Sequence, residues 1–140
     1  MKQAIGIFFW SRSTDRFLYL LRNDIKHPGV WGLPGGGVEN DETLLQAAER
    51  ECLEEIGLWF DSKLIPIQKF TNENFTYNTL FCAVDAEFIP TLNNEHSGYA
   101  WVGRNGEALQ YPKPLHPGLF STVNFDIVLD KLALLTQTSQ

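Results

Sequence analysis

The sequence is poor in the features that mark several large classes of protein. It has two cysteines in 140 residues, too few for a disulfide framework, and Cys52 and Cys82 both lie in apolar patterns that predict buried core thiols. No stretch approaches the ~18 consecutive apolar residues of a membrane-spanning helix. The start lacks the longer apolar region and small-residue cleavage site of a secretory signal. We therefore expect a cytoplasmic protein without a membrane segment.

Positive charge is also scarce. Eleven Lys and Arg stand against 17 Asp and Glu, for a net charge of −6. Binding along a DNA or RNA backbone needs clustered Lys and Arg, so we do not expect it. A small phosphorylated substrate remains compatible with this charge if a bound metal reverses the local field. The composition, 44% hydrophobic and 13% aromatic, is that of a globular chain, and we expect one domain over residues 1–140.

The distribution of apolar residues predicts strands and helices in alternation. Runs rich in β-branched and aromatic residues predict strands at 4–10, 16–22, 64–70, 74–88 and 99–103. Helical spacing is found over 41–56 and 120–135. The Gly- and Pro-rich segment 23–37 is expected to be a loop with a short strand at 30–33. This order predicts an α+β fold in which helices flank a mixed β-sheet.

The first predicted helix carries an unusual concentration of acid. Asn40 or Asp41 is expected to cap it and Gly57 to end it. At ~100° per residue, the face expected to contact the core consists of Leu45, Ala48, Cys52 and Ile56. An adjacent arc, at the rim of that face, carries Glu51, Glu54 and Glu55. Arg50 precedes Glu54 by four residues and is placed to form an ion pair with it.

Clustered glutamates need an explanation, because like charges three and four residues apart destabilise a helix. One explanation is a solvated acidic face. The other is a hard divalent cation such as Mg²⁺, which takes carboxylate ligands and shares oxygens with substrate phosphates. Two features favour the cation: the acids lie next to the core face, and a glycine-rich loop leads directly into the helix. Loop glycines let the backbone approach a ligand closely.

The segment "GGGVENDETLLQAAERECLEEIGL" resembles the signature of the Nudix hydrolases. Its fixed positions are met by Gly36, Glu42 and the run Arg50–Leu58, with Cys52 a less common choice at an apolar position. "WGLPGG" just upstream is also similar to the approach found in that family. The resemblance covers residues 36–58 and implies the Nudix fold, a mixed sheet sandwiched between helices. It also implies hydrolysis of a nucleoside diphosphate linked to another group, with Mg²⁺ or Mn²⁺ as cofactor.

The resemblance assigns roles to residues of the motif. The implied metal ligands are Glu51, Glu54, Glu55 and the carbonyl of Gly35. Arg50 would orient a glutamate, with Glu54 the first choice, and Glu54 is itself a candidate base. Glu42 would have a structural role at the helix start.

Residues outside the motif complete the predicted site. Family members often carry an acid or His shortly before a Trp-containing strand, and here Glu95 and His96 precede Trp101. Glu95 is the first candidate for a further metal ligand or base, and His96 is the alternative. The ordinary explanation is that the two are simply polar residues of a loop. Four residues are candidates for substrate contact, each with an ordinary structural explanation beside it: Arg22 for a phosphate, Tyr77 for stacking on a base, Asn124 for reading a base, and His96.

Two alternatives share the fold. A non-catalytic nucleotide-binding regulatory module is disfavoured because such modules typically lose glutamates that this chain retains. An isopentenyl-diphosphate isomerase is disfavoured because it needs a catalytic Cys, and Cys82 lies in a core-like strand. Among substrates, a nucleoside triphosphate, a dinucleoside polyphosphate and a nucleotide sugar all stay open. A homodimer is compatible with the resemblance.

Overall fold

The computed structural model describes residues 2–24, 29–60, 63–103 and 126–138. The strands within these ranges are β1 (Lys2–Ser11), β2 (Arg16–Arg22), β3 (Trp31–Gly32), β4 (Gly35–Gly37), β5 (Ile65–Thr71), β6 (Phe75–Val84) and β7 (His96–Val102). The helices are α1 (Leu44–Glu55) and α2 (Asp126–Thr138). The predicted α+β class, with strands and helices in this order, is confirmed.

The described strands form one mixed sheet around β1. One edge of β1 pairs in parallel with β6 along its whole length, from Lys2 opposite Phe75 to Ser11 opposite Val84. The other edge is shared, since β4 pairs with its first half and β2 with its last two residues, both antiparallel. Strand β2 continues the sheet to β3 and β7, and β6 continues it to β5. The glycine-rich loop is thereby drawn alongside the centre of the sheet.

Strand β4 corrects the prediction that residues 34–37 are loop. Gly35, Gly36 and Gly37 pair with Gly6, Ile5 and Ala4 of β1. Sequence patterns predict strands from side chains that suit a pleated surface, and three glycines offer none. The pairing here is made through the backbone, so no side-chain signal announces it.

The sheet buries an apolar layer on each face. One layer includes Ile5, Ile7, Leu18 and Leu20 of the sheet and Ala47, Ala48, Cys52 and Ile56 of α1. The other includes Phe8, Trp10, Tyr19 and Phe81 of the sheet and Leu132 of α2. Cys52 and Cys82 are both buried, as predicted. The glutamate-bearing helix is therefore pressed against the sheet.

Helix α1 begins later than predicted. Thr43, rather than Asn40 or Asp41, is the N-cap: its hydroxyl accepts a hydrogen bond from Gln46 N, and the Gln46 side chain accepts one from Thr43 N. This capping box satisfies two backbone donors at once, an advantage that Asn40 and Asp41 do not share. Gly57 ends the helix as predicted, in the left-handed conformation at φ 72°.

The remaining boundaries agree in part with the predictions. The strand predicted at 99–103 begins at His96, so His96 belongs to a strand rather than a loop. The second predicted helix, 120–135, is observed as Asp126–Thr138, and its first residues lie outside the described ranges, as does Asn124. Neither described helix is long and apolar enough to cross a membrane.

Candidate active site

Helix α1 buries one of its three clustered glutamates almost completely. Glu55 is only 4% exposed, whereas Leu45, predicted to contact the core, is 56% exposed. The buried residues of α1 are Ala47, Ala48, Cys52 and Glu55. Compared with the predicted face, the face that contacts the sheet is therefore rotated about the helix axis toward Ala47 and Glu55. The prediction that all three acids lie at the rim is therefore wrong for Glu55, which lies inside the buried face.

Strand β4 shapes the space around the two inner glutamates. The Gly35 N–H donates a 2.7 Å hydrogen bond to Glu55 Oε1. A Cβ on Gly36 would lie 2.6 Å from Glu51 Oε1, so the Glu51 carboxylate rests directly on the backbone of β4. Gly35 has φ 150°, and a Cβ there would collide with the Ile5 carbonyl of β1. Both glycines are thus required by close approach, one to a carboxylate and one to β1.

Burial dominates the electrostatics of these two acids. It raises the pKa of Glu55 to about 8, an effect that the Gly35 hydrogen bond opposes and the charge of Glu51 reinforces. Burial likewise raises the pKa of Glu51, although the Arg50 hydrogen bond acts in the opposite direction. Two desolvated carboxylates next to each other are unfavourable unless a proton or a cation neutralises them. The pair is therefore suited to a hard cation.

Arg50 connects the helix to the segment that precedes it. Its guanidinium donates to both carboxylate oxygens of Glu42, at 2.7 and 2.9 Å, to Glu51 Oε1 at 2.9 Å and to the Gly37 carbonyl at 2.8 Å. Glu54, its predicted partner, lies farther away at 3.6 Å. Arg50 therefore holds Glu51 and Glu42 more closely than Glu54. Its hydrogen bonds lower the pKa of Glu42 to about 2.

Glu54 differs from its neighbours because its side chain is 55% exposed. Within the described ranges, no three His, Cys, Asp or Glu side chains already converge as a ligand cage. Glu51 and Glu55 are held by β4 and Arg50, whereas the exposed Glu54 carboxylate can rotate toward them. An exposed, long side chain makes that rotation at small energetic cost.

His96 extends the site from the buried Glu55 toward β7. Its Nε2 lies 3.8 Å from Glu55 Oε2, and both side chains are buried. Burial, reinforced by the charge of Arg22, lowers the pKa of His96 to about 4. At pH 7 the imidazole is therefore neutral, and the contact with Glu55 is not an ion pair. Nδ1 lies 3.4 Å from Asn93 Oδ1, which favours the proton on Nδ1 and leaves the Nε2 lone pair facing Glu55.

Glu95 lies on the exposed turn before β7. Its charge contributes to raising the pKa of both Glu51 and Glu55, which places it within electrostatic range of them. Its backbone carbonyl accepts a 2.7 Å hydrogen bond from Asn23 N. Glu95 is thus the exposed residue of the two, and His96 the buried one next to a carboxylate.

Three of the four predicted substrate contacts, Arg22, Tyr77 and His96, lie in the same region. Arg22 ends β2 directly opposite His96, and its guanidinium donates two hydrogen bonds to Asp24. Tyr77 extends its hydroxyl over Gly6, where a Cβ would lie 2.9 Å from the ring carbon Cζ. Burial, followed by the charge of Glu55, raises the pKa of Tyr77 to about 12. Arg22, Tyr77, His96 and Glu55 therefore share one electrostatic neighbourhood.

With this geometry in view, comparison with known proteins becomes informative. The family model of the NUDIX domain matches residues 1–119. The chain belongs to the Nudix family. The match covers both the glycine-rich strand and the glutamate helix, together with β7 and the residues that precede it. Glu51 and Glu55 both occupy fixed positions of the Nudix motif that the sequence contains.

Individual Nudix relatives match parts of the chain. A putative 8-oxo-dGTP diphosphatase 3 of Mycobacterium tuberculosis is 37% identical over 98 residues, which cover 64% of this chain and 43% of the relative. The nucleoside triphosphatase NudI of Escherichia coli is 33% identical over 88 residues, which cover 54% and 62%. The chain thus spans about half the length of these relatives. The dihydroneopterin triphosphate pyrophosphohydrolase of E. coli superimposes with a TM-score of 0.70 at 22% identity, over 95% of each chain, and so shares the fold.

Sequence reasoning missed two features of the site. The complete burial of Glu55 depends on where α1 rests on the sheet, which the helical wheel of an isolated segment does not contain. Asp24, the partner of Arg22, was also missed. A signal for it exists, because an Asp two residues after an Arg at a strand end is placed to reach the guanidinium.

Proposed function

We propose that this Nudix chain is a Mg²⁺-dependent pyrophosphohydrolase that cleaves a phosphoanhydride bond of a nucleoside triphosphate. The observation that carries the proposal is the buried Glu55, held by Gly35 N next to Glu51 on the Nudix helix. A desolvated carboxylate pair of this kind costs stability, and a divalent cation offsets that cost. The names of the two relatives, a putative 8-oxo-dGTP diphosphatase and a nucleoside triphosphatase, support a triphosphate substrate over a sugar nucleotide.

The metal would be held by Glu51, Glu54 and Glu55, with the Gly35 carbonyl as a further ligand. When bound, Mg²⁺ neutralises charge on the pyrophosphate oxygens and on the leaving group. Arg50, on the same helix, fixes the orientation of Glu51 and supplies a positive charge next to it. Gly36 keeps the space that the Glu51 carboxylate occupies.

The remaining side chains serve the nucleotide and the attacking water. Glu95 and His96 are the two candidates for accepting the proton of that water. Glu95 is preferred, because its side chain lies on an exposed turn from which it can reach a water, whereas His96 is buried against Glu55. Arg22 is assigned to a phosphate group. The Tyr77 ring is assigned to one wall of the nucleoside site.

The test is turnover across a nucleotide panel in Mg²⁺, with phosphate and pyrophosphate measured as products. The panel contains dNTPs, 8-oxo-dGTP, a dinucleoside polyphosphate, ADP-ribose and a sugar nucleotide. Glu54→Gln and Glu55→Gln are expected to lose activity, whereas Glu49→Gln, an exposed acid on the same helix at a position that the motif does not fix, is the matched control.

The outcomes separate the alternatives. Triphosphate turnover that both motif variants abolish supports the proposal. Turnover of a dinucleoside polyphosphate or sugar nucleotide instead would retain the hydrolase and replace the substrate. Tight nucleotide binding without any turnover would identify a regulatory module.

A further inference from the structure

The Arg22 side chain is held in a defined orientation by its near neighbour Asp24. Arg22 Nη2 donates to Asp24 Oδ2 at 2.6 Å, and Arg22 Nε donates to Asp24 Oδ1 at 3.2 Å. The two bonds form a parallel fork, which is the geometry that guanidinium groups also use for phosphate. A guanidinium has five N–H groups, so three are in excess of this fork. Asp24 can therefore orient Arg22 without consuming its capacity to bind an anion.

The backbone under this fork is also fixed. Arg22 N donates to the Val30 carbonyl and Gly29 N donates to the Arg22 carbonyl, both at 2.8 Å. These two hydrogen bonds join the end of β2 to the residues just before β3. Asn23 N donates to the Glu95 carbonyl at 2.7 Å, which ties the same turn to the segment before β7. The base of the Arg22 side chain thus has little freedom to move.

The fork lies at the edge of the acidic site. Arg22 is paired with His96 across β2 and β7, where the register shifts, and His96 Nε2 lies 3.8 Å from Glu55 Oε2. An arginine at this position faces a choice of carboxylates, and without a dedicated partner it would be drawn toward Glu55 or Glu95. There it would compete with a cation. Asp24 offers Arg22 a carboxylate partner that is not one of those acids.

We propose that Asp24 is a positioning residue, which holds the Arg22 guanidinium beside the glutamate cluster so that it meets a phosphate group of the substrate. The inference rests on the proposed function. It predicts the direction in which nucleotide affinity changes when Asp24 is replaced, because Asp24 is itself an anion close to an anion-binding site. If it acted only through its charge, its removal would tighten the binding of a nucleotide. If it positions Arg22, its removal weakens that binding.

The experiment measures binding and turnover in the same set of variants. The binding probe is the α,β-methylene analogue of a triphosphate, chosen as the triphosphate of the nucleotide panel that the protein hydrolyses fastest. Its binding in the presence of Mg²⁺ is measured by titration calorimetry. Asp24→Asn is expected to weaken this binding about tenfold, the value of one charge-assisted hydrogen bond, and to raise KM similarly while kcat changes less than about threefold. Asp24→Glu keeps the charge but displaces the fork, and an intermediate loss is expected.

A double-mutant cycle with Arg22→Met separates positioning from other effects. In the Arg22→Met background, Asp24→Asn is expected to have no further effect on the affinity for the analogue. The matched control is Glu87→Gln, which breaks the comparable fork between Arg16 and Glu87 at the opposite end of β2, at 2.6 and 2.7 Å. That variant should bind the analogue like the unaltered protein.

Two results would overturn the inference while leaving the proposed function in place. One is tighter binding of the analogue by Asp24→Asn, and the other is an equal loss whether or not Arg22 is present. If the unaltered protein neither binds nor hydrolyses any nucleotide of the panel, the proposed function itself fails, and this inference fails with it.

Discussion

Replacing Glu55 by Gln is expected to stabilise the metal-free protein while removing its response to metal. The amide is close to isosteric with the carboxyl group, and its Oε1 can still accept the hydrogen bond from Gly35 N. What changes is charge. The unfolded state ionises Glu55 freely above pH 4.5, whereas burial in the folded state raises the pKa to about 8. Gln has no such difference between the two states.

The direction and size of the effect follow from proton linkage. Between pH 4.5 and 8 the folded protein binds more protons at Glu55 than the unfolded chain does, so its free energy of unfolding falls as pH rises. For these two pKa values, the Gln variant gains roughly 3 kcal/mol at pH 7 and less than about 1 kcal/mol at pH 5. In a domain of this size, roughly 3 kcal/mol corresponds to about 10 °C in Tm.

The assay is urea unfolding in EDTA at pH 5, 6, 7 and 8, for the unaltered protein, Glu55→Gln and Glu54→Gln. Glu54 is the matched control because it is 55% exposed, and its replacement should change the unfolding free energy by less than about 0.5 kcal/mol. Adding Mg²⁺ should then stabilise the unaltered protein but not Glu55→Gln. The burial argument is refuted if Glu55→Gln is less stable than the unaltered protein at pH 7, or if their difference does not grow with pH.

Three further substitutions test other parts of the structure. Gly36→Ala places a methyl group 2.6 Å from the Glu51 carboxylate, and we expect the Mn²⁺ affinity measured by EPR to fall about tenfold. Gly37→Ala is the control, because its Cβ would meet open space, and it should retain the Mn²⁺ affinity. Equal losses in the two variants would contradict a steric effect at Gly36. Thr43→Ala removes the N-cap and should lower the free energy of unfolding in urea by about 1 kcal/mol with Mn²⁺ affinity unchanged; no loss of stability would mean that the capping box is not formed in solution. Gly57→Ala forces a side chain into φ 72° and should cost about 1 kcal/mol in the same assay, so a neutral result would argue against that conformation.

Much of the fold could be predicted because its signals are local. The hairpin of β1 and β2, the strands β5 and β6, and the helix that ends at Gly57 all follow from apolar periodicity and turn residues. The boundary at Thr43 was missed because three acceptable caps precede the helix, and only hydrogen bonding decides among them. Strand β4 was missed because its three glycines pair through the backbone alone.

The same distinction between local sequence signals and tertiary contacts applies to the candidate site. The spacing of Glu51, Glu54 and Glu55 in the Nudix motif identified the acidic cluster from the sequence. It placed all three acids on one arc at the rim of the core face and singled out Glu54 as the partner of Arg50. In the structure Glu55 is buried, Glu51 is held by Arg50 and Gly36, and Glu54 is exposed. The difference arises because the sheet, including β4, determines how much water each carboxylate keeps.

The sequence by itself determined the family, the chemical type of the site and most of the secondary structure, since all three are written in residues close together along the chain. Tertiary structure alone decided which glutamate loses its water, that His96 faces Glu55, and that Asp24 and Arg22 stand beside them. These relations join β2, β4, β7 and α1. Desolvation and ion pairing depend on distances through space, and residues as far apart as Arg22 and His96 become neighbours only when the sheet forms.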